Sequence, residues 1–277
     1  MKFTKMHGAG NDYIYINCFK EKVEDPSSLA VRVSDRHFGI GSDGLVLICP
    51  SEKADFKMDM YNADGSQGKM CGNASRCIAK YVYDNGMTQA DEITLETLSG
   101  VKKIKIKING DTCVGATVNM GEPILRAEDI PVVSETETVV SQKTSIGGNE
   151  YSITCVSMGN PHCVVFTDEV KTLELSKIGP RFENDKMFPE RVNTEFVRVK
   201  GKNELEMRVW ERGSGETLAC GTGACAVAVA AVLNGYCERN REIKIDLIGG
   251  TLYINWSEDG SVYMTGPAEK ICDGEIE

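Results

Sequence analysis

No stretch of this 277-residue chain reaches the roughly 18 apolar residues that a membrane span needs, and the start, MKFTKMHGAGND, has no apolar segment of secretory type. A cytoplasmic protein with no membrane partner is expected. Positive charge is scarce as well, with 31 Lys and Arg against 41 Asp and Glu, a net charge of −10 and a pI near 5.0. Such a surface repels phosphate, which argues against nucleic acid and anionic lipid and makes a small molecule the default ligand. Only three histidines are present and no Cys-x-x-Cys occurs, so no metal site is expected. No low-complexity linker or charge block divides the chain.

Apolar residues make up 41% of the sequence, enough for a substantial core in one large domain or two ordinary ones. Eleven cysteines, an odd number without close pairing, predict reduced thiols rather than a disulfide framework. Cys18, Cys49, Cys113, Cys155, Cys163, Cys237 and Cys272 are expected to be buried packing residues.

The chain repeats itself. Cys71 in MYNADGSQGKMCGNASRCIAKYVYDNG and Cys220 in VWERGSGETLACGTGACAVAVAAVLNG are 149 residues apart, and the same offset carries Gly72 onto Gly221, Asn85-Gly86 onto Asn234-Gly235 and Gly10-Asn11 onto Gly159-Asn160. Each copy reads as an aromatic-containing strand, a glycine turn, Cys-Gly and a helix-length run closed by Asn-Gly. Two similar halves follow, each a set of short strands around one helix that starts at its cysteine. Gly221 to Leu233 is apolar on every face, which predicts a helix enclosed by strands. Arg76 and Lys80 give the first-half helix a wetter face, and Asp25-Pro26 predicts another helix start.

Helix N-termini offer unpaired N–H groups and about half a positive charge, which should draw a thiol pKa from about 8.5 toward 3.5 to 7.5. Cys71 and Cys220 are thus the candidate reactive thiols, with Gly72, Asn73, Gly221 and Thr222 able to hold a carboxylate. Two such cysteines facing one α-carbon could take a proton from one face and return one to the other, inverting the centre. At about 100° per residue, Cys77 lies about 240° from Cys71 and Cys225 about 140° from Cys220, so both are read as structural. GIGSDG, Gly39 to Gly44, matches G-x-G-x-x-G but is followed by the strand-like LVLIC, which rejects a dinucleotide site. His162 taken alone reads as a core-edge histidine, and Glu211 and Arg212 as either a solvated pair or site residues.

HGAGNDY, FGIGSDG, NADGSQGKMCGN, MGNPH, VNTEFV and ERGSGETLACGTGACA together resemble the diaminopimelate epimerase family, cofactor-independent isomerases of lysine synthesis. The resemblance implies an α+β fold of two pseudo-symmetric domains, each a curved, mainly antiparallel sheet around a central helix, with the site in the cleft between them. It implies residues 1–118, rejoined by a last strand over 264–277, as the first domain and 119–263 as the second. Cys71 and Cys220 would be the acid/base pair acting on LL- and meso-2,6-diaminopimelate without a cofactor. Gly72, Asn73, Gly221 and Thr222 would hold the reacting carboxylate, and Asn11, Asn62, Asn160, Asn193, Glu211 and Arg212 the rest of the substrate. His162 and Glu211 would orient or tune the centre, and a homodimer is implied. Gly44 and Ala74 depart from the family pattern, where Gln and Gly are common. A racemase of another amino acid on this scaffold and a redox protein using a Cys71–Cys220 disulfide are the competing readings.

Overall fold

Period-two apolar patterning becomes strand along most of the chain, and the computed structural model, which describes residues 1–277, divides it into two units. The first comprises Met1–Asn119 and Thr265–Glu277, the second Met120–Met264.

In the first unit, β1 (Lys2–Gly8), β2 (Asn11–Asn17), α1 (Pro26–Ser34), β3 (Gly44–Cys49), β4 (Phe56–Asn62), β5 (Gln67–Gly68), α2 (Gly72–Asp84), β6 (Glu92–Thr97), β7 (Gly100–Asn109) and β8 (Thr112–Gly121) follow in order. Pairing is mainly antiparallel, with β2–β3 and β4–β6 parallel. The second unit runs β9 (Gln142–Ile146), β10 (Asn149–Ser157), β11 (Pro161–Phe166), α3 (Leu175–Glu183), β12 (Asn193–Gly201), β13 (Glu204–Glu211), β14 (Gly215–Thr217), α4 (Gly221–Leu233), β15 (Ile243–Leu247) and β16 (Gly250–Trp256). Its parallel pairs are β11–β12 and β13–β15. The chain returns to the first unit within β17 (Val262–Pro267), and β18 (Glu269–Glu275) pairs antiparallel with β1.

The duplication extends to register. Ile14 pairs with Leu45 and Cys163 with Thr194, the same partners displaced by the offset that separates the two cysteines. Both long helices stop where Gly86 (φ +65°) and Gly235 (φ +76°) adopt the left-handed conformation that glycine tolerates without strain. Asp25 caps α1 as expected, its carboxylate accepting from the Ser28 N–H at 3.0 Å. Helix α4 is buried from Gly221 to Ala231 except Thr222 and packs against β10, β11, β12, β15 and β16. Its burial fixes where its N-terminus points.

Two expectations are corrected, and one helix is added. Arg76 does not wet a helix face: it is fully buried, donating to the carbonyls of Pro267 (3.1 Å) and Gly72 (3.3 Å) and to the Asn73 side-chain oxygen (2.9 Å). An ordered set of acceptors makes its burial tolerable. Cys272 is exposed on β18, and Cys18 and Cys49 are only half-buried. Helix α3 holds Pro180 in its interior, which disguises it in sequence; packing overrides propensity, with Phe182 in the second unit's core and Gly179 so close to Trp210 that a Cβ would lie 2.2 Å from the ring.

Burial pushes the Cys77 thiol up to about 12 and the Cys237 thiol up to about 11. The unfolded chain deprotonates these thiols first, from about pH 8.5, so their contribution is complete below that pH and is lost as pH rises toward the folded values. The melting temperature should therefore fall steadily from pH 8.5 to 11 under reducing conditions, and less so in Cys77→Ala relative to its own neutral-pH value. A flat profile over that range contradicts the burial of these thiols.

Candidate active site

Each reactive-cysteine candidate is the N-cap of its helix. Cys71 has extended backbone, and its Sγ accepts from the Ala74 N–H at 3.5 Å; Cys220 repeats this with the Gly223 N–H at 3.4 Å. Cysteine is a weak acceptor compared with serine or aspartate, so capping strength alone does not account for its use at both caps.

Around Cys71 the first unit gathers Asn11, Asn73 and Tyr13. The thiol donates to Asn11 Oδ1 at 3.5 Å, and Asn73 Nδ2 donates to the same oxygen at 3.2 Å. Asn11 is held in turn by Asp43, which accepts from Asn11 Nδ2 at 2.7 Å and from the Asp12 N–H at 3.1 Å, while Arg36 bridges Asp12 and Asp43 at 2.9 Å each. The position of Gly44 is closed to any side chain, because a Cβ there would lie 2.1 Å from the Tyr61 carbonyl oxygen and 2.9 Å from the Tyr13 ring. Asn62 stays apart from this cluster, exposed at the end of β4 with Nδ2 on Ser66 Oγ at 2.9 Å.

Around Cys220 the second unit gathers Thr222, Glu211 and Glu195, with His162 and Asn160 joined to this group through Glu195. Thr222 Oγ1 lies 3.5 Å from the sulfur, and Glu211 accepts from the Thr217 hydroxyl and from the thiol. His162 is fully buried, with Nε2 3.0 Å from Asn160 Oδ1 and Nδ1 2.7 Å from Glu195 Oε1. Asn193 is engaged within the protein: Oδ1 accepts from the Arg212 N–H at 3.0 Å and Nδ2 donates to the Pro161 carbonyl at 2.9 Å. It ties the start of β12 to the end of β13, and the Arg212 guanidinium donates to the Glu190 carbonyl at 2.9 Å.

The expected fall in thiol pKa is not what the structure gives. Burial pushes Cys71 up, against the opposing pull of the Ala74 and Asn73 N–H groups, Arg76 and Tyr13. Cys220 is pushed up further, by burial and then by the carboxylates of Glu211 and Glu195, with Thr222 and the Gly223 N–H opposing. Burial also raises Glu211. Loss of water outweighs a helix dipole whose field is confined to the first turn.

Sequence reasoning missed Glu195, Tyr13, Asp43 and Arg76. A signal existed for Glu195: it is the one acid in an otherwise apolar or small-polar run, Asn193 to Val197, every residue of which is buried. No cluster of three or more His, Cys, Asp or Glu able to hold a metal ion occurs.

The family model for diaminopimelate epimerase matches residues 3–125 and 154–271. A diaminopimelate epimerase from Acetivibrio thermocellus is 57% identical, covering 100% of this chain and 99% of its own, and one from Methanococcus maripaludis is 55% identical with 100% of both covered. A phenazine biosynthesis protein from Bacillus anthracis shares the fold at 14% identity, with a TM-score of 0.71 over 100% of this chain and 99% of the other. Identity above half, sustained from end to end, is far beyond what a common fold alone requires. The chain belongs to the diaminopimelate epimerase family.

Proposed function

We propose that this protein interconverts LL- and meso-2,6-diaminopimelate by moving the α-proton between Cys71 and Cys220, with no cofactor. The observation that carries the reading is the matched pair of half-sites: two helices 149 residues apart, each capped by a cysteine whose sulfur stands beside the first-turn N–H groups and accepts from one of them. A carboxylate bound by those groups at Gly72 and Asn73 and at Gly221 and Thr222 delocalises the charge that develops when its α-carbon loses a proton. One thiolate removes that proton and the other thiol supplies one to the opposite face, so the pair carries a single proton between them and titrates as a unit. Asn11, Asn62, Asn160 and Arg212 are assigned to the remainder of the substrate. Asn193 acts by placing Arg212, and His162 and Glu211 orient and tune the reacting centre. With both thiols held up by burial, the rate should climb as pH rises above neutrality.

The decisive experiment supplies LL-diaminopimelate in heavy water with reductant and no added cofactor. Meso product carrying deuterium at the inverted centre is the expected result. Absence of both exchange and inversion rejects the reading; inversion of another amino acid in a chiral panel, without diaminopimelate turnover, would move the substrate assignment. A redox role predicts gain of function on oxidation, whereas this reading predicts loss that reductant restores. No helix is long and apolar enough to cross a membrane. The same reading carries a cytoplasmic homodimer, and a monomer by light scattering at micromolar concentration would remove that part.

A further inference from the structure

The two half-sites are not copies, and they differ in a compensated way. At the register position occupied by Val46 in the first unit the second has Glu195, where Tyr13 stands the second has His162, and where Ala74 stands the second has Gly223. Val46 and Ala74 are both fully buried, an ordinary apolar contact environment. Glu195 is fully buried too, and Gly223 leaves the room it occupies: a Cβ on Gly223 would lie 2.5 Å from Glu195 Oε1 and 3.2 Å from Cys220 Sγ. Carboxylate and sulfur therefore converge on one side of Gly223. Oε1 also faces His162 Nδ1 at 2.7 Å, while Oε2 is buried without a hydrogen-bond partner. Leaving a carboxylate oxygen unmatched in a core costs stability, and an apolar pair at the same positions is tolerated in the sister half.

We propose that Glu195 is a positioning residue for the reaction: it fixes the His162 ring through Nδ1 and makes Cys220, rather than Cys71, the member of the pair that holds the shared proton in the free enzyme. The inference rests on the two-thiol reading above. Its charge logic is local to each unit. Facing Cys220 are Glu211 from β13 and Glu195 from β12, the latter paired with His162 of β11; facing Cys71 are Arg76 on α2 and the Tyr13 hydroxyl on β2. Two carboxylates oppose a second negative charge at Cys220, while a guanidinium favours one at Cys71. With Glu195 as a carboxylate, Nδ1 donates to it whichever way the Asn160 amide is turned, so Nε2 is left to work with Asn160.

The test compares wild type, Glu195→Gln and the double variant Glu195→Val/Gly223→Ala, which gives the second half the apolar pair of the first and so preserves packing if the amide is not accommodated. Each protein is alkylated with iodoacetamide across pH, and Cys71 and Cys220 are quantified separately by peptide mass spectrometry. In both variants the Cys220 profile should move about one pH unit lower and the Cys71 profile higher, because the shared proton shifts toward Cys71, and kcat should fall about tenfold with KM nearly constant, because Glu195 does not reach substrate. Retention of the wild-type Cys220 profile in either folded variant overturns the proposal, as does wild-type kcat. A wild-type nitrogen spectrum showing His162 Nδ1 without a proton also overturns it. A wild type that neither exchanges nor inverts diaminopimelate would instead defeat the two-thiol reading, while the alkylation comparison would still report on Glu195.

Discussion

Cys71→Ser and Cys220→Ser each lose inversion of diaminopimelate by at least about 10³-fold, the scale expected when a general acid or base is removed, while neither melts earlier than wild type. Serine is among the preferred N-cap residues and is nearly the shape of cysteine, so the helix N–H groups of Ala74 and Gly223 keep an acceptor. Chemistry is thereby separated from folding. The residual behaviour should be asymmetric. With one thiol left, a proton can be removed and returned on the same face, so each variant exchanges deuterium into one epimer without inverting it, and the two variants select opposite epimers. Chiral separation with mass detection in heavy water reads both quantities. Near wild-type inversion by either variant, or exchange of the same epimer by both, contradicts a pair working on opposite faces.

That experiment bears on what could be read from the chain before its structure. The repeat was legible because its landmarks are residues that few others can replace: Cys at an N-cap, Gly at the left-handed stop, Asn before it. Helices α1, α2 and α4 were marked by such punctuation, and α4 also by its apolar run. Helix α3 was not, since Pro180 sits where local rules end a helix and only contact with Trp210 and the second unit's core keeps it. The same blindness hid Arg76, whose charge reads as surface until its three acceptors are seen. Thiol acidity was misjudged for a related reason: the dipole of a helix end is a sequence-level inference, whereas desolvation depends on every neighbour in space. Gly44 departs from a family pattern in which Gln is common, and Tyr61 and Tyr13 already fill the place a side chain would take. Pairs such as Glu195 with Gly223 become visible only when β-sheet register aligns the halves.

Arg76→Met should be the most damaging single change outside the thiols. The fork donates to a carbonyl at each of Pro267 and Gly72 and to the Asn73 side chain, so it joins the end of β17 to the first turn of α2. Methionine can fill much of the volume but leaves buried acceptors without donors, a loss of about 3 kcal/mol, or roughly 6–10 °C in melting temperature. Activity should fall with stability and beyond it. Asn73 loses the anchor on Oδ1 that orients its Nδ2 toward Asn11, the acceptor of the Cys71 thiol, and Cys71 loses the neighbouring positive charge that favours its thiolate. Arg76→Lys tests which loss matters: it keeps the charge but cannot reach three acceptors at once, so it should recover the pH dependence of Cys71 alkylation more fully than the melting temperature. Melting within 1 °C of wild type for Arg76→Met would mean the fork is not holding the helix end. In the second half the same helix position is the fully buried Cys225, so the cationic fork belongs to the Cys71 half alone.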